Sequence, residues 1–279
     1  MPTITGFDIT QAAQAYSAVA GILAGFAFAV LVWLIEHLVE LKDKDTGERS
    51  DGAKQFVKQA LIFLGVTFAS NVITAILWAL VSGESEPNTT RPTILSFFAT
   101  LNFALATPLT IASIIFILAS TKVRQVIPIF RQVFGVAVVV SSFYLLVTIT
   151  NIWAIQARSN SQVAFTENLW WLLLFLLVQI VVFFISYLIN TKWIGRLFWW
   201  SHDESFNSFV KAWLLAILLS TLGFGYIALL GTNVYLPTWL IFIAVAYWTV
   251  LMGWAITFLP SESNVEKTAS FEESGAVHE

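Results

Sequence analysis

The sequence predicts an all-α, polytopic integral membrane protein: a seven-transmembrane-helix bundle with its N-terminus out and its C-terminus in. Three observations carry that expectation. Of 279 residues, 58% are apolar and 11% charged, against roughly 45–50% and about 25% in soluble globular chains. Apolar runs recur along the chain, each near the ~20 residues that a helix needs to cross a bilayer core. Lys and Arg gather in alternate loops, as they do on the cytoplasmic side of membrane proteins.

The runs place seven spans at about 15–39, 57–81, 93–119, 132–156, 168–190, 208–230 and 238–259. Each is too long for a strand and lacks the alternation of a membrane barrel. A helix satisfies its own backbone hydrogen bonds, which lipid cannot do for it. Residues 1–14 form a short extracytoplasmic segment. They hold no Lys or Arg, so a cleavable signal peptide is not expected there. Asp8 and Gln11 fit a capping box ahead of the first span. Turn residues between Asp43 and Gly52 separate the first two spans. Pro92 and Pro237 stand where the third and seventh begin, near the first helical turn that tolerates proline. Ser201 and Glu204 suit a cap for the sixth. The 15–260 region thus reads as one transmembrane domain. The 261–279 tail has five Glu and one Lys and is expected to be a disordered, acidic, cytoplasmic tail.

Charge sets the orientation. Twelve of the fourteen Lys and Arg fall in the first, third and fifth loops, their flanks and the tail; Arg91 and Arg158 alone fall on the other side. That bias puts the C-terminus in the cytoplasm and the chain in the plasma membrane. Trp residues cluster near the span ends, as an aromatic belt does. Trp78, Trp153, Trp170, Trp171 and Trp239 mark the outer interface. Trp33, Trp193, Trp199, Trp200, Trp213 and Trp254 mark the inner one.

Two rows of small residues suit close helix packing, the main source of association inside lipid. The first span carries Ser17, Gly21, Gly25 and Ala29, with a GxxxG at its centre. The sixth carries Ala212, Ala216, Ser220 and Gly223. Packing within the monomer is the favoured use, and packing between subunits the other.

Uncharged polar residues form stripes that should face the bundle interior. They are Thr67, Ser70, Asn71 and Thr74 in the second span, and Ser96, Thr100, Thr107 and Thr110 in the third. Ser141, Tyr144, Thr148 and Asn151 follow in the fourth, Asn168, Gln179, Ser186 and Asn190 in the fifth, and Thr249, Gly253 and Thr257 in the seventh. The simpler use is hydrogen bonding between helices, worth about 0.6–2 kcal/mol each. The sharper use is a site or path for a small neutral or lipidic ligand. Its candidate wall is Asn71, Asn102, Pro108, Tyr144, Asn151 and Gln179. Pro108 removes one helical hydrogen bond and should free the carbonyl of Ala104.

Several chemistries are unexpected. No Lys, Arg, Asp or Glu stands at the centre of a span, which argues against proton-driven pumping or voltage sensing. With no Cys, thiolate chemistry is excluded. Glu36, His37 and Glu40 are weak metal candidates. Glu40 has Lys44 one turn on as an ion-pair partner, and a solvated helix end is the simpler reading. No phosphate loop, nucleophile elbow or cofactor fingerprint occurs, so neither an enzyme nor a cofactor is expected. The absence of a basic excess argues against nucleic acid. The expected partners are the bilayer and a second copy or another membrane protein. Familiar seven-helix families are not matched by motif. The seventh span has no Lys for a retinal Schiff base. Ser120–Arg124 and Ile256–Pro260 lack the Asp/Glu-Arg-Tyr and Asn-Pro-x-x-Tyr patterns of G-protein-coupled receptors.

Overall fold

The computed structural model describes residues 9–44, 51–85, 89–119, 124–159, 173–174, 176–177, 179–181, 202–231 and 234–259. Six long helices cover most of them: α1 (Ile9–Lys44), α2 (Asp51–Ser82), α3 (Thr90–Ala119), α4 (Ile127–Ser159), α5 (His202–Ala228) and α6 (Thr238–Phe258). One 3₁₀ turn, Arg124–Val126, leads into α4, and no strand occurs among the described residues. All six helices are long and apolar enough to cross a membrane. They match six of the seven expected spans. The fifth, 168–190, lies mostly outside the described residues, although 173–174, 176–177 and 179–181 are helical. The expected caps at Asp8 and Ser201 and the acidic tail also lie outside them.

The helices start and stop where chain chemistry demands. Pro92 sits in the first turn of α3, and Pro237 immediately precedes α6. At both places the missing N–H belongs to a helix start, where it has no intrahelical acceptor. Pro108 lies within α3, which runs on through it.

Helix α3 is the hub. It packs against α1, α2, α4, α5 and α6, and its long run of buried residues extends from Thr93 to Ala119 with few breaks. The outer helices present Leu, Ile, Val and Phe to the surroundings, including Ile22, Phe26, Val136, Phe143, Leu218 and Leu222. An apolar exterior around a partly polar interior is the distribution that lipid, not water, selects.

The small-residue rows divide. On α5, Ala216 and Ser220 are buried, and a Cβ added at Gly223 would stand 2.5 Å from the Phe98 ring of α3. That row packs inside the chain, as expected. On α1 the row does not show the favoured packing within the chain. Gly21, Gly25 and Ala29 are exposed, and Ser17 is half-buried. A Cβ added at Gly21 or Gly25 meets nothing within 4 Å. The buried face is instead an alanine row, Ala13, Ala20, Ala24 and Ala27, about 120° round the helix from the glycines at 100° per residue. Alanine suffices for close approach here and avoids the conformational cost of glycine. Ser17 still contributes, donating to the Ala75 carbonyl of α2 at 2.9 Å.

The tryptophan belt also divides. Trp33 and Trp239 are exposed at 52% and 60%. Trp78, Trp153 and Trp213 stand near span ends but turn inward and are buried. They fill the bundle rather than anchor it.

Candidate ligand-binding seam

The polar stripes of α2 and α3 do point inward. Thr67, Ser70, Asn71 and Thr74 are fully buried, as are Thr100 and Asn102. Their hydrogen bonds are less interhelical than the sequence suggests. Ser70 donates to the Val66 carbonyl at 2.8 Å and Thr74 to that of Ser70 at 2.7 Å. Thr107, Thr110 and Ser113 likewise bond carbonyls four residues back in α3. Hydroxyls can reach their own helix in this way, and an acceptor found there leaves little to hold helices together. Bonds that do cross helices include Thr100 with Thr148 at 3.5 Å and Tyr247 to the Ala212 carbonyl at 2.8 Å.

The amides behave differently. Both side-chain polar atoms of Asn71, and both of Gln59, are buried without a partner among the described residues. So is the Thr67 hydroxyl. Asn102 donates its Nδ2 to the Phe98 carbonyl at 3.2 Å, and its Oδ1 is left unpartnered. Leaving such a group unmade costs about 1–3 kcal/mol, so these four residues mark where the bundle has polar capacity to spend.

Their placement is coherent. Gln59, Phe63, Thr67 and Asn71 follow one another at every fourth residue of α2, a row that rises ~6 Å and turns about 40° round the helix at each step. Phe63 fixes where its own turn of the row looks: its ring packs on Phe116 of α3 at 5.2 Å and on Phe206 and Phe209 of α5 at 5.2 and 5.9 Å. Thr67 stands about 40° round α2 from Phe63, and Asn71 about 80°, where it shares the direction of Trp78, whose ring packs on Tyr16 of α1. On α3, Asn102 stands within about 40° of both Phe116 and Phe98 at 100° per residue. Phe116 meets α2, and Phe98 meets Gly223 of α5. Asn71 is as far from the end of α2 at Ser82 as Asn102 is from the start of α3 at Thr90, to within one residue. The two amides thus share a depth, near the middle of their helices.

Other expected wall residues are scattered. Tyr144 is half-buried and packs edge-on against Tyr16 at 5.4 Å, and Tyr16 packs on Trp78 at 4.9 Å. That places Tyr144 at an aromatic contact of α1, α2 and α4. Asn151 is exposed, so the inward stripe of α4 ends one turn earlier at Thr148. Pro108 is buried but stands about 120° round α3 from Asn102. Gln179 is buried, and its Nε2 has no partner among the described residues. Asn168, Ser186 and Asn190 lie outside the described residues. Glu36 is exposed at one end of α1; the side chains of His37 and Glu40 lie outside the described residues.

The sequence reading did not include Gln59 in the polar stripe of the second span. Its spacing of eight and twelve residues from Thr67 and Asn71 was the available signal. Compared with protein-family models, with curated proteins and with solved structures, the chain matches none.

Proposed function

We propose that this helical bundle is a non-enzymatic receptor or facilitator that takes a small neutral or lipidic ligand into its interior beside the mid-helix amides of α2 and α3. The observation that carries this reading is Asn71: fully buried, at mid-depth, with amide oxygen and nitrogen both unpartnered among the described residues. Asn102 and Thr67 add a buried acceptor and a buried hydroxyl without partners among the described residues. Neutrality follows from the surroundings. Thr67, Asn71 and Asn102 are uncharged, and an ion taken from water without a counter-charge or full coordination would suffer a large desolvation penalty. The charge bias of the loops supports a plasma-membrane protein with its basic end in the cytoplasm, which reporter fusions at the C-terminus would check.

Native mass spectrometry of the protein released from lipid nanodiscs tests the ligand. The wild type should carry a defined extra mass that Asn71→Leu loses. The same substitution should raise thermal stability, by about 1 kcal/mol, because it removes a buried group with no partner. An Asn71 that serves structure gives the opposite pair: no specific mass on the wild type and a less stable Asn71→Leu.

A second reading is self-association through α1. It is supported by the outward placement of Gly21, Gly25 and Ala29. The same spectra report subunit number, and a strict monomer in nanodiscs would remove it.

A further inference from the structure

We infer that Asn71 and Trp78 of α2 are the two poles of one binding site, whose ligand is a small neutral phenol with a carbonyl at the edge of its ring opposite the hydroxyl. The inference rests on the interior ligand site proposed above and adds its second pole and its ligand class. Asn71 is 0% exposed and Trp78 1%. Neither the Asn71 amide nor the Trp78 indole N–H has a partner among the described residues. The two residues stand about 20° apart round α2 and ~10 Å apart along it. They are two buried, unspent groups on one side of one helix.

The neighbours favour a flat ligand. The Trp78 ring packs on Tyr16 of α1 at 4.9 Å, and Tyr16 packs edge-on against Tyr144 of α4 at 5.4 Å. Three helices thus bring rings to the Trp78 pole, where another ring gains stacked or edge contacts. Between the poles, α2 flanks their direction with two short side chains, Thr74 and Ala75. Thr74 donates its proton to the Ser70 carbonyl at 2.7 Å. Ser17 of α1 bonds the Ala75 carbonyl at 2.9 Å, and the next buried residues of α1 are Ala20 and Ala24.

The ligand class follows from what each pole lacks. An indole N–H only donates, so Trp78 requires an acceptor oxygen. The Asn71 amide both donates and accepts, and a hydroxyl answers both with one group. With hydrogen bonds of ~2.9 Å at each pole, the two oxygens of the ligand stand ~5 Å apart if both bonds run along the axis and ~10 Å apart if both run across it. Opposite edges of a single benzene ring, each carrying oxygen, fit that interval. Both poles are uncharged, so a phenolate or carboxylate would leave water without a counter-charge.

Titration of methyl 4-hydroxybenzoate onto the full chain in nanodiscs, read by native mass spectrometry, tests the pairing. 4-Ethylphenol keeps only the hydroxyl, and methyl benzoate only the carbonyl. Each should bind the wild type at least tenfold more weakly than the hydroxybenzoate. Trp78→Phe keeps a ring against Tyr16 and removes the N–H. It should lower the hydroxybenzoate to the affinity of 4-ethylphenol and leave 4-ethylphenol unchanged. Asn71→Leu should lower it to the affinity of methyl benzoate.

The comparison of the three ligands on the wild type needs no variant. No binding of the hydroxybenzoate, or equal binding of a single-ended analogue, overturns the inference. So does a Trp78→Phe protein that weakens all three ligands alike. The mass carried by the purified wild type decides the ligand site separately. A mass that Asn71→Leu loses and Trp78→Phe keeps retains that site and removes Trp78 from it.

Discussion

The two ends of the bundle are closed by different forces. At the end that the loops make basic, closure is aromatic. Phe209 of α5 stacks with Phe63 of α2, with Trp213 one turn along, and with Trp254 and Phe258 of α6, at 5.2–5.9 Å. At the opposite end, closure is polar and runs through backbone. Arg91 pairs with Glu84 at 2.6 Å and donates to the Leu230 carbonyl at 3.1 Å. The Val234 N–H donates to Thr90 at 2.8 Å, and Gln156 to the Leu236 carbonyl at 3.3 Å. Those bonds tie the α2–α3 loop, the α5–α6 loop and the end of α4 together. The contrast teaches which end can move. Directional bonds to fixed carbonyls hold one geometry, whereas rings exchange one packed arrangement for another. A site between them is more readily opened from the aromatic side.

The largest effect should come from removing the centre of the aromatic end. In lipid the usual gain from taking an apolar side chain out of water is absent, so Phe209→Ala costs mainly the cavity. At ~24 cal/mol per Å³ over the ~100 Å³ removed, that is about 2 kcal/mol. Reversible unfolding in mixed micelles measures it. A loss below about 0.5 kcal/mol would show that the cluster collapses onto the space, and that the end is looser than its ring contacts suggest.

A smaller effect belongs to the polar end. Glu84→Gln keeps the shape of the side chain and removes its charge. Both partners are partly exposed, Arg91 at 24% and Glu84 at 13%, and Arg91 retains its bond to Leu230. The expected cost is therefore about 0.5–1 kcal/mol. It should shrink toward zero near 1 M salt, where the screening length falls to about 3 Å. Phe209→Ala should keep its cost in the same buffers. Matched salt series of the two variants would thus separate the ends by mechanism, and parallel salt responses would erase the distinction drawn here.

Much of this architecture was legible in the sequence because lipid imposes a simple demand. Six of the expected spans correspond to helices whose ends differ from them by at most six residues; the central place of α3 was not foreseen. The inward face of α2 was also legible, since Thr67, Ser70, Asn71 and Thr74 share one arc. What failed did so for a physical reason. Small residues mark a face able to pack closely but do not say whether a neighbour occupies it, so α1 buries its alanines and exposes its glycines. Tryptophan suits both the headgroup layer and a core, so Trp78 and Trp213 matched the depth of a belt yet point inward. Hydroxyls read as interhelical bonds because sequence cannot show that Ser70, Thr74 and Thr110 satisfy themselves on carbonyls of their own helices. The unspent amides emerge only once those bonds are assigned.

The smallest effect is the most diagnostic for α1. Gly21→Ala and Gly25→Ala add methyls where nothing lies within 4 Å, and in a helix interior alanine is favoured over glycine by up to about 1 kcal/mol. For the single chain the double variant should be neutral or slightly stabilising. Gly223→Ala is the internal control, because its methyl would press on the Phe98 ring and should destabilise. If α1 pairs with a second copy through the glycines, the two methyls would hold the backbones apart. The dimer fraction in nanodiscs would then fall while the thermal midpoint of the monomer holds or rises. A double variant that loses monomer stability as Gly223→Ala does would show that the glycine face packs within the chain, and would reverse the assignment of α1's two faces.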